Sequence, residues 1–325
     1  MKLATYADGS RDGQLWIVSR DLRLAAPARD IAPTMRAALE TWDDLAPALR
    51  ALAEDLDGGR VPHAEPFDPA RCMAPLPRAS AWLDGSSFLH HGRLMEKAFN
   101  APPIPDFGTV PVVYQGGSDD LRGPCEPMPF VSEEHQIDME GEFGVIVGDV
   151  PMGTETEAAL DHVRLLVQLN DWSLRKLAPY EMSRGFGWIQ AKPSTSFAPV
   201  AITPDELGDA WRDGRIQLRL HVAINGREVG RAHGGASAFS FARLISHCAA
   251  TRRLSAGTII GTGTVSNDDP QAGSSCLSEV RVLEILRDGV PKTPFLSFGD
   301  RVRMEARTDD GSTPFGALDQ EVVKA

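Results

Sequence analysis

The stretch Asp138-Met139-Glu140-Gly141-Glu142-Phe143-Gly144-Val145-Ile146-Val147-Gly148 decides how the rest of the chain is read. Its apolar end, with β-branched Val145, Ile146 and Val147, reads as a strand. Side chains on a strand alternate between faces, so Glu140 and Glu142 share one face and Asp138 lies on the same side. Met139, Gly141, Phe143, Val145 and Val147 make up the opposite, mostly apolar face. Three carboxylates on one side repel each other, the more so as water is excluded. They therefore face bulk water or surround something positive. Taken alone, a D-x-E-x-E strand is more commonly a solvated acidic edge than a metal site.

Working outward, 325 residues with 42% hydrophobic content can bury at least one large core, and the length suggests two domains or one large one. The formal net charge of −12 sets nucleic acid and anionic membrane aside as partners. Cys72, Cys125, Cys248 and Cys276 are scattered with no C-x-x-C pair, which fits free thiols in a reducing cytosol better than disulfides or a zinc site. No signal-peptide core opens the chain, and no uninterrupted apolar run is long enough for a bilayer. A cytoplasmic protein is the expectation.

Leu3–Tyr6 and Leu15–Ser19 flank a turn-rich segment and predict a hairpin. Residues 34–56 have a helical pattern: Thr34 is a cap for the first segment, and Pro47 falls in the first turn of the second. Turn and breaker residues make 57–69 a linker, which places a boundary near residue 70: a small N-terminal α+β domain, 1–70, and a main domain, 71–325. Thr154 with Glu157 reads as a capping box for a helix over 155–162. Residues 164–171 suit either the end of that helix or a buried strand. Residues 216–229 predict a hairpin about an Asn225-Gly226 type I′ turn. Residues 240–250 predict a helix, and 254–262, 280–286 and 302–306 predict strands. Many short strands with few helices mean an α+β, mostly-β fold. A doubly wound nucleotide fold is disfavoured, because no glycine-rich phosphate loop follows a strand.

Four more clusters carry chemistry. Trp82-Leu-Asp84-Gly-Ser-Ser-Phe-Leu-His90-His91 supplies a carboxylate and a group that titrates near neutral pH. Asn170-Asp171-Trp172-Ser173-Leu174-Arg175 spaces a carboxylate and a guanidinium by four, which an ordinary helix pair would also do. Lys192 precedes small hydroxyl residues in a proline-limited loop. Gly261-Thr-Gly-Thr264-Val-Ser266 and the later Glu279 follow, the glycines suiting close backbone approach to a ligand or a tight turn.

Taken in order, Asp84, His91, Tyr114, the Asp-x-Glu140-x-Glu142 motif, Asn-Asp171-Trp-Ser-x-Arg175, Lys192, Gly-Thr264-Val-Ser and Glu279 resemble the fumarylacetoacetate hydrolase superfamily over about residues 75–325. The resemblance implies a mixed β-sandwich roll for the main domain, and a metal-dependent hydrolase that cleaves a carbon–carbon bond in a 1,3-dicarbonyl acid during aromatic catabolism. It implies that Asp84, Glu140, Glu142 and Asp171 hold one divalent cation. An all-oxygen set suits Mg2+, with Ca2+ or Mn2+ as alternatives. Catalysis falls to His91 as general base, Glu279 as its orienting carboxylate, and Arg175 and Lys192 as oxyanion-stabilising cations; Tyr114 and Thr264, with both cations, contact substrate. It also implies a homodimer. The spacing of Asp84 and His91, with the later Glu279, resembles the hydrolases rather than the decarboxylase or isomerase branches, and a decarboxylase, tautomerase or hydratase acting on 2-oxo acids with the same fold is the first alternative. A non-catalytic divalent-metal module is a further alternative, and it leaves His91 and Glu279 without a purpose. The fumarylacetoacetate-specific pattern has a glutamine and a tyrosine where Ala178 and Met182 stand here, which argues against fumarylacetoacetate itself.

Overall fold

The computed structural model describes residues 1–99 and 103–325. Gly141–Val147 is a strand, buried along its whole length, in the interior of the larger sheet. On one side it pairs antiparallel with Val163–Asn170, on the other antiparallel with Thr258–Gly261. Thr258–Gly261 runs parallel to Ala81–Gly85, which pairs with Val113–Gly116. In the other direction Val163–Asn170 meets Ala201–Ile202, and the sheet continues through Lys2–Tyr6, Gln14–Val18, Leu24–Pro27 and Glu65–Pro66. The N-terminal segment thus extends the sheet that carries the acidic strand. A second, five-stranded sheet runs in the order Arg227–His233, Arg219–Ile224, Arg301–Arg307, Ala317–Lys324 and Met128–Phe130.

Alternation along the acidic strand builds two cores. Phe143, Val145 and Val147 turn toward Leu220, Val222 and Met304 of the second sheet. Ile146 turns the other way, with Leu165, Val167 and Ile259, to pack beneath the helices Met35–Glu40 and Trp42–Asp57. Gly141 lets the sheets approach: a Cβ there would lie 2.9 Å from Leu220 Cδ2 and 3.3 Å from Met304 Sδ and Val222 Cγ2.

Several expectations appear as read. Thr34 caps the first helix by accepting the Ala37 N–H at 3.1 Å, and the helix expected over 240–250 is Phe241–Ala249, which the structure caps with Ser240. Asn225 and Gly226 take φ of 50° and 76° at the tip of the Arg219–Ile224/Arg227–His233 hairpin, as a type I′ turn requires. The ambiguous run at 164–171 is strand Val163–Asn170.

Others are corrected. Residues 280–286 are not a strand but part of the helix Leu277–Asp288. Their β-branched content suggested a sheet, but Cys276 caps the helix start and Gly289 ends it in the left-handed region, at φ 83°. Burial is concentrated at the helix start, at Leu277, Ser278 and Glu279 with Val282 one turn on, while residues 284–288 are partly or fully exposed. Thr154 does not cap the helix, since its hydroxyl donates to the Pro151 carbonyl at 2.8 Å, but the helical span expected over 155–162 is there, as the α-turn Thr156–Ala159 continued by the 3-10 turn Leu160–His162. Pro47 lies inside Trp42–Asp57 rather than in its first turn, because that helix begins directly after Thr41. Pro47 and Asp43 are both exposed, so water can take the carbonyl that the ring leaves free. The segment read as a linker contributes Glu65–Pro66 to the sheet.

Candidate metal centre and acid–base pair

The pairing register delivers three carboxylates to one point. Asp84, near the end of Ala81–Gly85, lies opposite Gly261 on one neighbour and Tyr114 on the other. Glu142 lies opposite Leu169, and Asp171 follows directly on the same partner strand. Two cross-links hold this corner: the Asn170 side chain accepts the Glu140 N–H at 2.8 Å, and the Asp171 N–H donates to the Glu140 carbonyl at 2.9 Å. One oxygen from each of Asp84, Glu142 and Asp171 lies within 4.8 Å of the others. All three side chains are buried.

The electrostatics of the group are unbalanced. Asp171 accepts from Tyr114 Oη at 2.6 Å, Lys192 Nζ at 2.7 Å and Thr195 Oγ1 at 2.8 Å. Asp84 accepts the Gly263 N–H at 3.0 Å. Both oxygens of Glu142 are buried with no partner among the described residues. Burial first, and then repulsion from neighbouring carboxylates, pushes Asp84 and Glu142 well above the usual carboxylate range.

Glu140 has a different setting. Its carboxylate lies between Lys192 and Arg175, whose Nη2 is 2.7 Å away. Burial works against its ionised form, yet the two cations hold its pKa well below the ordinary value. Lys192 and Arg175 are in turn held charged against burial by these acids. Arg175 also donates from Nε to Asp138 at 2.8 Å. With all ionised, Asp84, Asp138, Glu140, Glu142 and Asp171 carry −5 against +2 from Lys192 and Arg175, a deficit of three charges in a buried site. An orphaned carboxylate in an all-oxygen, electron-rich corner fits a hard divalent cation.

Beside it stands an acid–base pair. Helix Leu89–Phe99 carries His91 and the first turn of Leu277–Asp288 carries Glu279; His91 Nδ1 lies 2.8 Å from Glu279 Oε1 and both side chains are largely buried. With Nδ1–H given to the carboxylate, Nε2 is left as the basic nitrogen. The charge of His91 also contributes to lowering Glu140, so the pair and the acids share one electrostatic neighbourhood.

The other expected residues fall around this corner. Tyr114 bonds Asp171 directly. Thr264 is buried between two anchors, the Gly263 N–H on Asp84 and the Val265 N–H on the Gly141 carbonyl. Ala178 is buried, whereas Met182 and Tyr180 are exposed. Trp188 was not foreseen. It stacks on Tyr114 with centroids 5.8 Å apart, and Lys192 Nζ sits 5.4 Å from the Tyr114 ring and 5.5 Å from the Trp188 ring. Its one sequence signal is a position four before Lys192. Thr195 and Asn170, also unforeseen as site residues, orient Asp171 and Glu140.

The model of the fumarylacetoacetate (FAA) hydrolase C-terminal region matches residues 80–323, and that of fumarylacetoacetase N-terminal domain 2 matches residues 1–78. A 2,4-didehydro-3-deoxy-L-rhamnonate hydrolase from a Sphingomonas species is 30% identical over 165 residues, 50% of this chain and 54% of that protein. The chain thus spans about half the length of the curated relatives it matches. Among solved structures, a maleylpyruvate hydrolase from a Sphingobium species, in complex with manganese(II) and pyruvate, matches with TM-score 0.67 at 18% identity, and the match covers 100% of both chains. The fumarylacetoacetate hydrolase of Exiguobacterium antarcticum matches with TM-score 0.68 at 18% identity over 100% of both chains. With both models matched end to end on a sheet that carries the acidic strand at its centre, the chain belongs to the fumarylacetoacetate hydrolase superfamily, with the fold of that superfamily.

Proposed function

We propose that the protein is a divalent-cation-dependent hydrolase that cleaves a carbon–carbon bond in a 1,3-dicarbonyl acid. One observation carries the reading: an orphaned buried carboxylate group, Glu142 with Asp84 and Asp171, beside the buried His91–Glu279 pair. A purely structural cation site has no need of an oriented imidazole. In this reading Asp84, Glu142 and Asp171, joined by Glu140, hold one cation, with Mg2+ as the favoured ion. When bound, the cation polarises the dicarbonyl oxygens and offsets the charge of the enolate that leaves. The relatives support the class: one is a 2,4-didehydro-3-deoxy-L-rhamnonate hydrolase, and another is a maleylpyruvate hydrolase in complex with manganese(II) and pyruvate.

His91 takes a proton from water through Nε2 as the water oxygen bonds to the attacked carbonyl carbon. Glu279 holds the ring in that tautomer and stabilises the imidazolium. Lys192 has three N–H donors, two of them committed to Glu140 and Asp171, which leaves one for the developing oxyanion. As the carbon–carbon bond breaks, the proton passes from His91 to the departing carbon. Residues 71–325 carry this chemistry and residues 1–70 form a supporting domain. The test follows the enol absorbance of fumarylacetoacetate, fumarylpyruvate and acylpyruvates with Mg2+ or Mn2+, with oxaloacetate in parallel. Loss of a diketone band with release of two acids is expected. Turnover of oxaloacetate alone would replace hydrolysis by decarboxylation.

A further inference from the structure

We propose that His91, Cys276 and Glu279 form a second metal site, one for zinc or a like borderline-soft divalent cation, separate from the carboxylate group. A ring nitrogen of His91, the Sγ of Cys276 and a carboxylate oxygen of Glu279 all lie within 4.8 Å of one another. The three residues are buried or nearly so. They come from two elements that pack together: the first turn of Leu89–Phe99, and the start of Leu277–Asp288 with its cap. Cys276 is oriented by that cap, since its sulfur accepts the Glu279 N–H at 3.5 Å. Sulfur and carboxylate are thereby tied to one helix start, and the imidazole already reaches them at 2.8 Å through Nδ1.

The donor chemistry separates the two sites. Nitrogen, thiolate sulfur and one oxygen make up a zinc set, with water available as a fourth ligand. The carboxylate group offers oxygen alone and suits a hard ion. Zinc distances of about 2.0–2.3 Å to such donors place the ligand atoms roughly 3.5 Å apart, so shifts of up to about 1.3 Å close the set, the His91–Glu279 pair widening and the others contracting. Side-chain torsions can supply that while both helices stay in place. Binding replaces the His91–Glu279 hydrogen bond with two bonds to the ion, the Nδ1 proton moves to Nε2, and the Cys276 thiol proton goes to solvent. The consequence for activity rests on the function proposed above: zinc here removes the base without displacing Mg2+, and so inhibits noncompetitively with respect to that ion.

Cobalt(II) is the probe, because a thiolate ligand gives it a strong near-ultraviolet charge-transfer band. The full chain, held in excess Mg2+ to fill the carboxylate site, is titrated with Co2+. One equivalent with a thiolate band is expected. Cys276→Ser keeps a capping oxygen but removes the sulfur. It should abolish the band and weaken Co2+ binding by at least about 10-fold, the loss typical of even an outer partner. An unchanged melting temperature and unchanged Mn2+ binding establish that the variant is folded. Absence of a thiolate band in the parent chain overturns the site, as does a band undiminished in Cys276→Ser, which would assign it to Cys72, Cys125 or Cys248. In activity assays, zinc should inhibit the parent and spare the variant. If no diketone is turned over while the cobalt result holds, the proposed hydrolysis fails and the metal site stands.

Discussion

Glu142 is the residue at which charge and burial conflict most directly. Its side chain is fully buried, both oxygens lack partners among the described residues, and Asp84 and Asp171 face it. In the fold, Asp84 and Glu142 titrate above their ordinary 3.8 and 4.5, so over that interval the native chain holds more protons than the unfolded one. Their contribution to stability is therefore full at low pH and is lost as pH rises through the raised values. In a chelator, Glu142→Gln should melt above the parent at neutral pH, and the gap should close as pH falls toward 4.5; scanning calorimetry across pH checks this. Saturating Mg2+ should reverse the order, because the variant lacks a ligand. Equal Mg2+ affinity in the two chains would remove Glu142 from the metal site. His91→Ala should lower turnover on the order of 10²–10⁴-fold with Mn2+ binding unchanged, by calorimetric titration. Lys192→Ala should cost on the order of 10²–10³ in kcat. Asp171 and Glu140 were legible as acids from their motifs, whereas Trp188 was not, because a stacking partner of Tyr114 across 74 residues leaves no local pattern.

At the scale of elements, the helix Leu277–Asp288 depends on a residue far away in sequence. Asp138 accepts the Leu277 N–H at 2.7 Å on one oxygen, and the Ser278 N–H at 2.9 Å and Arg175 Nε at 2.8 Å on the other. A buried carboxylate thus satisfies the first N–H groups of the helix that carries Glu279 and also anchors the Arg175 guanidinium. Asp138→Ala leaves Arg175 short of a counter-charge and the Leu277 and Ser278 N–H groups without their acceptor, and should cost about 3–5 kcal/mol in urea unfolding. The proposed hydrolysis should fall with it even below the unfolding transition. Reading 280–286 as a strand failed here for a physical reason. β-propensity measures fit to a pleated, half-buried surface with a neighbour to pair with. This segment meets a helix and a distant carboxylate instead.

At the scale of the molecule, the acidic strand is covered on both faces. Gly141 lets the Leu220, Val222 and Met304 side chains of the second sheet close in on it, so Gly141→Val should destabilise by about 1–3 kcal/mol through overpacking, measured by thermal melting. On the opposite face, Ile146, Leu165, Val167 and Ile259 are covered by the helices of the first 57 residues, and Lys2–Tyr6 closes the edge at Ala201–Ile202. Residues 71–325 expressed alone should therefore aggregate or unfold, which size-exclusion chromatography would show; a stable monodisperse fragment would make the N-terminal part dispensable.

By itself the sequence determined the strand carried by Val145, Ile146 and Val147, the hairpin turn at Asn225-Gly226, the helix cap at Thr34, and the roster of acids and bases. These are local matters: period, turn chemistry and residue type act over a few positions. Tertiary structure alone decided that the first 66 residues continue the same sheet and that 280–286 is helical. It also decided that Glu140 sits against Arg175 and Lys192 while Glu142 is left unpartnered, and that Cys276 joins His91 and Glu279. Each of these depends on which residues meet across more than about 20 positions, and that is set by the burial of two shared cores rather than by any pattern along the chain.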